Sequence, residues 1–118
     1  MQEKEGDISE NSQIKSLLNR LSFDERLKGY RYISSALEIL LDCPKKADVL
    51  TKEVYPKLAS RYKTTAGAVE RNIRNALKKA WEAPEFNSLK NSFFDTGKRP
   101  SNGEMLKFLL KQLELTEL

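Results

Sequence analysis

The chain has 118 residues, 39% of them hydrophobic and 32% charged, which fits one soluble domain able to bury its own core. It has one cysteine, Cys43, and no histidine, so an internal disulfide and Cys/His zinc sites are excluded, and a reducing cytoplasm is the expected compartment. Net charge is +4, concentrated in the middle: Lys45 to Trp81 holds ten Lys and Arg against three Asp and Glu, while the remainder holds 11 basic and 14 acidic residues. A basic centre in an acidic frame points to a polyanion partner, or to a solvated lysine-rich surface.

Abundant Leu, Lys, Glu and Ala with few Val and Ile favour helix over strand. The polar residues 1–12 are expected to form a flexible N-terminus without a signal peptide, ahead of a helical domain at 13–118. No run is long enough to span a membrane. Ile14, Leu17, Leu18 and Leu21 recur at i, i+3, i+4, i+7 and mark a first helix. Asp24 is placed to cap a second helix to about Leu41, burying Leu27, Tyr30, Ile33, Leu37, Leu40 and Leu41. Gly29 inside that helix costs about 1 kcal/mol relative to Ala, a cost that a close helix crossing would offset. Pro44 stops the helix, and Cys43 before it reads as a small buried apolar residue.

A third helix is expected over 48–62, with Val54, Tyr55, Leu58, Ala59 and Tyr62 inward. Pro56 within it predicts a kink, or a break that lets a shorter helix begin there. Lys63 to Thr65 form a turn, and Thr65 caps a fourth helix from Ala66 to about Glu82 that ends before Pro84. A fifth helix at Glu85 to Phe94 would bury Phe86, Leu89 and Phe93. After a loop, Ser101 and Glu104 have capping-box spacing and open a last helix to about Leu115. The expected fold is therefore all-α, a six-helix domain with a helix-turn-helix at about 50–82.

The fourth helix divides by angle. Val69, Ile73, Ala76, Leu77 and Ala80 share one face with Trp81 at its edge, and Arg71, Arg74, Asn75 and Lys78 share the other. The small residues Ala66, Gly67 and Ala68 leave the first turn open to a phosphate backbone. Arg pairs bidentately with guanine and Asn with adenine in a major groove, and Glu70 can accept from cytosine. Glu70, Arg71, Arg74 and Asn75 are thus the candidate base readers of double-stranded DNA. Lys52, Lys57, Arg61, Lys63, Thr64, Thr65 and Lys78 are the candidate phosphate contacts. A charged solvent face on an ordinary amphipathic helix gives the same periodicity.

KGYRYISSALEILL followed by LTKEVYPKLASRYKTTAGAVERNIRNALKKAW resembles the C-terminal effector domain of stage-zero sporulation protein A, the bacterial response-regulator family of sporulation. The likeness runs from about Ile14 to Leu115. It implies promoter binding, often as tandem copies, with activation or repression of transcription near the nucleoid. The family's recognition-helix Glu and two Arg fall on Glu70, Arg71 and Arg74, and a further family arginine falls on Ala68. It also implies a contact between the sigma factor of RNA polymerase and the stretch after the recognition helix, here EAPEFNSLKNSFF. The family's receiver domain has no counterpart within this sequence.

In the last helix, Leu106, Leu109, Leu110 and Leu113 form the expected core stripe. Met105, Phe108 and Leu115 lie off it and are the candidate homodimer contact. The same surplus supports a second function, a protein-interaction module or antagonist of a related regulator. Without histidine, a base for Cys43 or a Gly-rich phosphate loop, no enzyme activity and no cofactor or metal is expected.

Overall fold

The computed structural model describes residues 4–87, 89–90 and 98–116, with side chains from Ser12 to Leu115 within those ranges. It is all-helical, with no strand among the described residues. Five α-helices are described: α1 (Lys4–Arg20), α2 (Lys28–Asp42), α3 (Tyr55–Arg61), α4 (Ala66–Glu82) and α5 (Asn102–Thr116). Six were expected. Ser88 and residues 91–94 of the expected Glu85 to Phe94 helix, including Phe93, lie outside the described residues. Its described part is a 3₁₀ turn at Pro84–Phe86 followed by helical Asn87, Leu89 and Lys90.

α1 buries Ile14, Leu17 and Leu18 and ends in a left-handed cap. Ser22 has φ 68°, and the Phe23 amide donates to the Leu18 carbonyl at 2.9 Å. This is a Schellman closure, with Phe23 turned into the core. α2 starts at Lys28, three residues later than the Asp24 cap predicts. Asp24 instead closes a tight turn: Oδ1 accepts from the Arg26 amide at 2.9 Å, and both carboxylate oxygens accept from the Arg26 guanidinium. A short aspartate can serve either arrangement, and here the turn wins.

The expected helix over 48–62 is three pieces. Pro44–Val49 is 3₁₀, Leu50–Val54 is a π turn, and only Tyr55–Arg61 is α-helical. Pro56 supplies the cause. It has no amide to give the Lys52 carbonyl, and its ring crowds that oxygen, so the preceding turn widens. The Tyr55 amide accordingly donates to Leu50, five residues back. Pro56 then sits in the first turn of the short helix, where a missing donor is harmless.

The core gathers α1, α2, α4 and α5 around one cluster that includes Ile14, Leu18, Ile33, Leu37, Ile73 and Leu109. α2 crosses α4 at Gly29. A Cβ there would lie 2.1 Å from the Asn72 carbonyl oxygen and 2.8 Å from the Ala76 Cβ. Only a glycine permits this approach, which accounts for its place inside a helix.

α5 packs against α1, α2, α4 and the 3₁₀ segment at Pro44–Val49. That enclosure corrects the dimer surface. Met105 is fully buried, and Phe108 is buried with its ring 6.3 Å from Phe86, whose 3₁₀ turn folds back over it. Of the three residues only Leu115 is exposed, at 57%. The apolar surplus is consumed inside the chain, because this helix is covered on more than one side. Cys43 is a free, half-buried thiol at the C-cap of α2. Among the described residues no helix is long and apolar enough to cross a membrane.

Candidate nucleic-acid interface

α4 carries the candidate site, and its limits are those read from the sequence, Ala66–Glu82. Thr65 is extended at φ −109°, ψ 155°, and its Oγ1 accepts from the Ala68 amide at 3.0 Å. Such a cap is worth about 1 kcal/mol. The inner face buries Val69, Ile73, Ala76, Leu77, Ala80 and Trp81. With that face committed to the core, the opposite face is turned outward. Arg71, Arg74, Asn75 and Lys78 are all exposed there, and no other helix buries them among the described residues.

Glu70 and Arg74 form an ion pair one turn apart, with the Arg74 Nη1 donating to Glu70 Oε2. Two of the four candidate base readers therefore begin as partners, while Arg71 and Asn75 stand apart from that pair. The side chains of Glu70 and Arg74 are only 36% and 44% exposed. Asn72, which sequence reading passed over, donates to the Ala68 carbonyl at 2.8 Å and braces the first turn.

The turn between α3 and α4 is also a Schellman closure. The Thr64 amide donates to Ala59 at 2.9 Å and the Lys63 amide to Ser60 at 3.4 Å. Lys63 occupies the left-handed position, φ 56°, where glycine is usual. A side chain there costs about 1 kcal/mol, yet it places an exposed ammonium directly before the α4 amino end.

The remaining candidate phosphate contacts lie on the surface. Lys52 is exposed on the π turn and Lys57 on α3. Arg61 is exposed and lies 4.0 Å from Glu38, while Thr64 is half-buried. The Tyr55 Oη accepts from Asn102 at 3.2 Å and the Tyr62 Oη lies 2.5 Å from Ser35 Oγ, both contacts part-buried.

Three further cations join this surface from elsewhere in the chain. Lys28 and Arg31 of α2 line the same cleft as Lys63 and Thr64, with the Arg31 guanidinium 6.0 Å from the Tyr62 ring centroid. Arg99 lines a cleft with Glu70 and Arg74. Lys28 and Arg31 fall outside the basic middle of the sequence, and Arg99 lies in a loop. No local pattern links them to α4; only the α2–α4 crossing and the start of α5 bring them there.

The ensemble is an exposed cationic helix face flanked by basic turns. No cluster of His, Cys, Asp and Glu able to hold a metal occurs among the described residues. Comparison with known families matches residues 14–113 to the sporulation initiation factor Spo0A C terminal family. The chain belongs to that family. Membership makes it the DNA-binding domain of a sporulation transcription factor, the effector part of a response regulator, and the family is not one of enzymes. The matched span includes α2 to α4 whole and most of α5, so the exposed face described above lies inside the family domain.

Proposed function

We propose that the chain reads specific double-stranded DNA sequences with α3 and α4 acting as a helix-turn-helix and α4 lying in the major groove. The observation that carries this reading is the face of α4 on which Arg71, Arg74, Asn75 and Lys78 are exposed among the described residues. Its residue types suit base edges, and the residues around it suit phosphates. Arg71 and Asn75 are the primary base readers, and Arg74 reads with Glu70 as a paired unit. Lys52, Lys57, Arg61, Lys63, Thr64, Thr65 and Lys78 fix the register on the backbone, joined by Lys28 and Arg31. Ala68, which lacks the arginine expected from the family resemblance, shifts the preferred sequence.

The domain works in the bacterial cytoplasm, at the nucleoid, regulating transcription through promoter boxes taken up as tandem copies. With Met105 and Phe108 buried, those copies are aligned by the DNA and not by an extensive apolar dimer face. The same burial removes the reason for a protein-interaction module. A contact with a sigma factor through EAPEFNSLKNSFF rests on the family resemblance, and residues 88 and 91–94 of that stretch lie outside the described residues.

Selection from a random duplex pool tests the reading. Enrichment of one motif is expected, with binding that weakens steeply as salt rises, because neutralised phosphates release counterions. Arg71→Ala should then cost about 1–3 kcal/mol on the selected duplex. An unenriched pool, or equal binding by wild type and R71A, would refute it.

A further inference from the structure

Asn102 is the first residue of α5, far from α4 in sequence, yet its side chain meets both helices of the proposed reading unit. Its Nδ2 donates to the Tyr55 hydroxyl at 3.2 Å and to the main-chain carbonyl of Glu70 at 3.3 Å. One amide nitrogen carries two hydrogens, so both bonds can be made together. Tyr55 opens α3 and is itself buried. Glu70 lies in the second turn of α4, one residue from Arg71 and one turn before Arg74.

The position of Asn102 is itself fixed. The Ser101 amide donates to Glu104 Oε1 at 2.9 Å, and the Glu104 amide donates to Ser101 Oγ at 3.1 Å, the reciprocal pair of a capping box. That box holds the first turn of α5, and α5 is anchored in the core by Met105, Leu106 and Leu109. A rigid element thus reaches the reading helix through one side chain. Helix carbonyls inside α4 already have their i+4 amides, so the bond to Glu70 is additional to the helix ladder. What it can do is fix the height and rotation of the amino-terminal half of α4 against α3 and α5.

We infer that Asn102 is a positioning residue for DNA reading, holding α4 at Glu70 so that the Arg71 and Arg74 side chains present to base edges in one register. This rests on the proposed DNA reading. A displacement of about 1 Å misaligns a bidentate base contact, while long lysine side chains still follow phosphates. Loss of the Asn102 bonds should therefore reduce discrimination between sequences more than it reduces general DNA affinity.

Two variants separate positioning from simple helix stability. Asn102→Ala removes both bonds. Asn102→Asp keeps the shape and places an acid in the first turn of α5, which favours the helix, but its carboxylate cannot donate to Glu70 or Tyr55. Binding of the full chain is measured on a selected duplex and on a scrambled one, with melting temperature and the salt dependence of scrambled binding followed in parallel. In both variants the ratio of selected to scrambled affinity should fall about tenfold, while N102D melts no lower than N102A. An unchanged ratio, or N102D reading like wild type, would overturn the inference.

Amide chemical shifts provide an arm independent of DNA. In N102A, the amides from Glu70 to Arg74 should move together, while those of α1 stay in place. Unmoved α4 amides would also overturn it. If wild type binds no duplex selectively, the DNA reading fails, and this arm alone decides whether Asn102 positions α4.

Discussion

Replacing Gly29 by alanine pits two effects of known sign against each other. In an exposed helix the change would stabilise by about 1 kcal/mol, since Ala is the better helix former. Here the new Cβ would sit 2.1 Å from the Asn72 carbonyl oxygen and 2.9 Å from the Asn72 carbonyl carbon. Ordinary contact for such pairs is about 3.4 Å or more, so α2 and α4 must part by roughly 1 Å. The obstacle is backbone and cannot swing aside. Overpacking a close helix contact costs about 1–3 kcal/mol, occasionally more, and parting also loosens the packing of Ala76 and its neighbours. Net destabilisation of about 1–2 kcal/mol is expected after the propensity gain, a fall in melting temperature of about 5–10 °C for a chain of this size. Urea and thermal unfolding by circular dichroism measure it. Because the displaced partner is α4, selective DNA binding by the folded variant should weaken too. A G29A chain as stable as wild type, or more so, would refute the close crossing and the account of why a glycine stands in the first turn of α2.

Other expectations follow from single residues. Thr65→Ala removes the acceptor for the Ala68 amide and should cost about 1 kcal/mol in chemical denaturation, with Thr65→Ser losing much less. Lys63→Gly relieves a left-handed side chain and should stabilise by about 0.5–1 kcal/mol while weakening duplex binding and lowering its salt dependence by close to one phosphate contact; a variant that is destabilised would contradict the turn geometry. Burial raises the Tyr55 hydroxyl above its usual pKa of 10.0, with a smaller opposing effect from the Asn102 hydrogen bond. A raised folded pKa favours the neutral phenol, so this contribution to stability is full below pH 10 and is lost as pH rises through the folded value. Burial also raises the Tyr30 hydroxyl, so phenolate absorbance should show more than one tyrosine ionising late, and Tyr55→Phe should reduce the amplitude of that late step.

What could be read from the sequence was what rests on neighbouring residues. The limits of α4, its Thr65 cap, its two faces and the Ser101–Glu104 capping box each involve residues within one or two turns, and they are found where the spacing placed them. Errors arose where one residue type serves two local ends. Asp24 could cap a helix or close a turn, and the bidentate Arg26 partner decided for the turn. The segment before Pro56 was legible as interrupted, but its division into 3₁₀ and π turns depends on where displaced carbonyls find donors. Tertiary placement was least legible. A period of 3.6 residues shows one apolar stripe and cannot show that α5 is enclosed on several sides, so Met105 and Phe108 read as surface. For the same reason Lys28, Arg31, Arg99 and Asn102 escaped notice: helix crossings, not sequence proximity, carry them to α4.

Methylation interference on a selected duplex probes the groove itself. Guanine N7 lies in the major groove and is the atom an arginine of α4 would engage. Methylation of one or two guanines at N7 should abolish binding by wild type, and R71A should lose that sensitivity at one position. Interference confined to adenine N3 in the minor groove, or none at any base, would contradict a reading helix in the major groove.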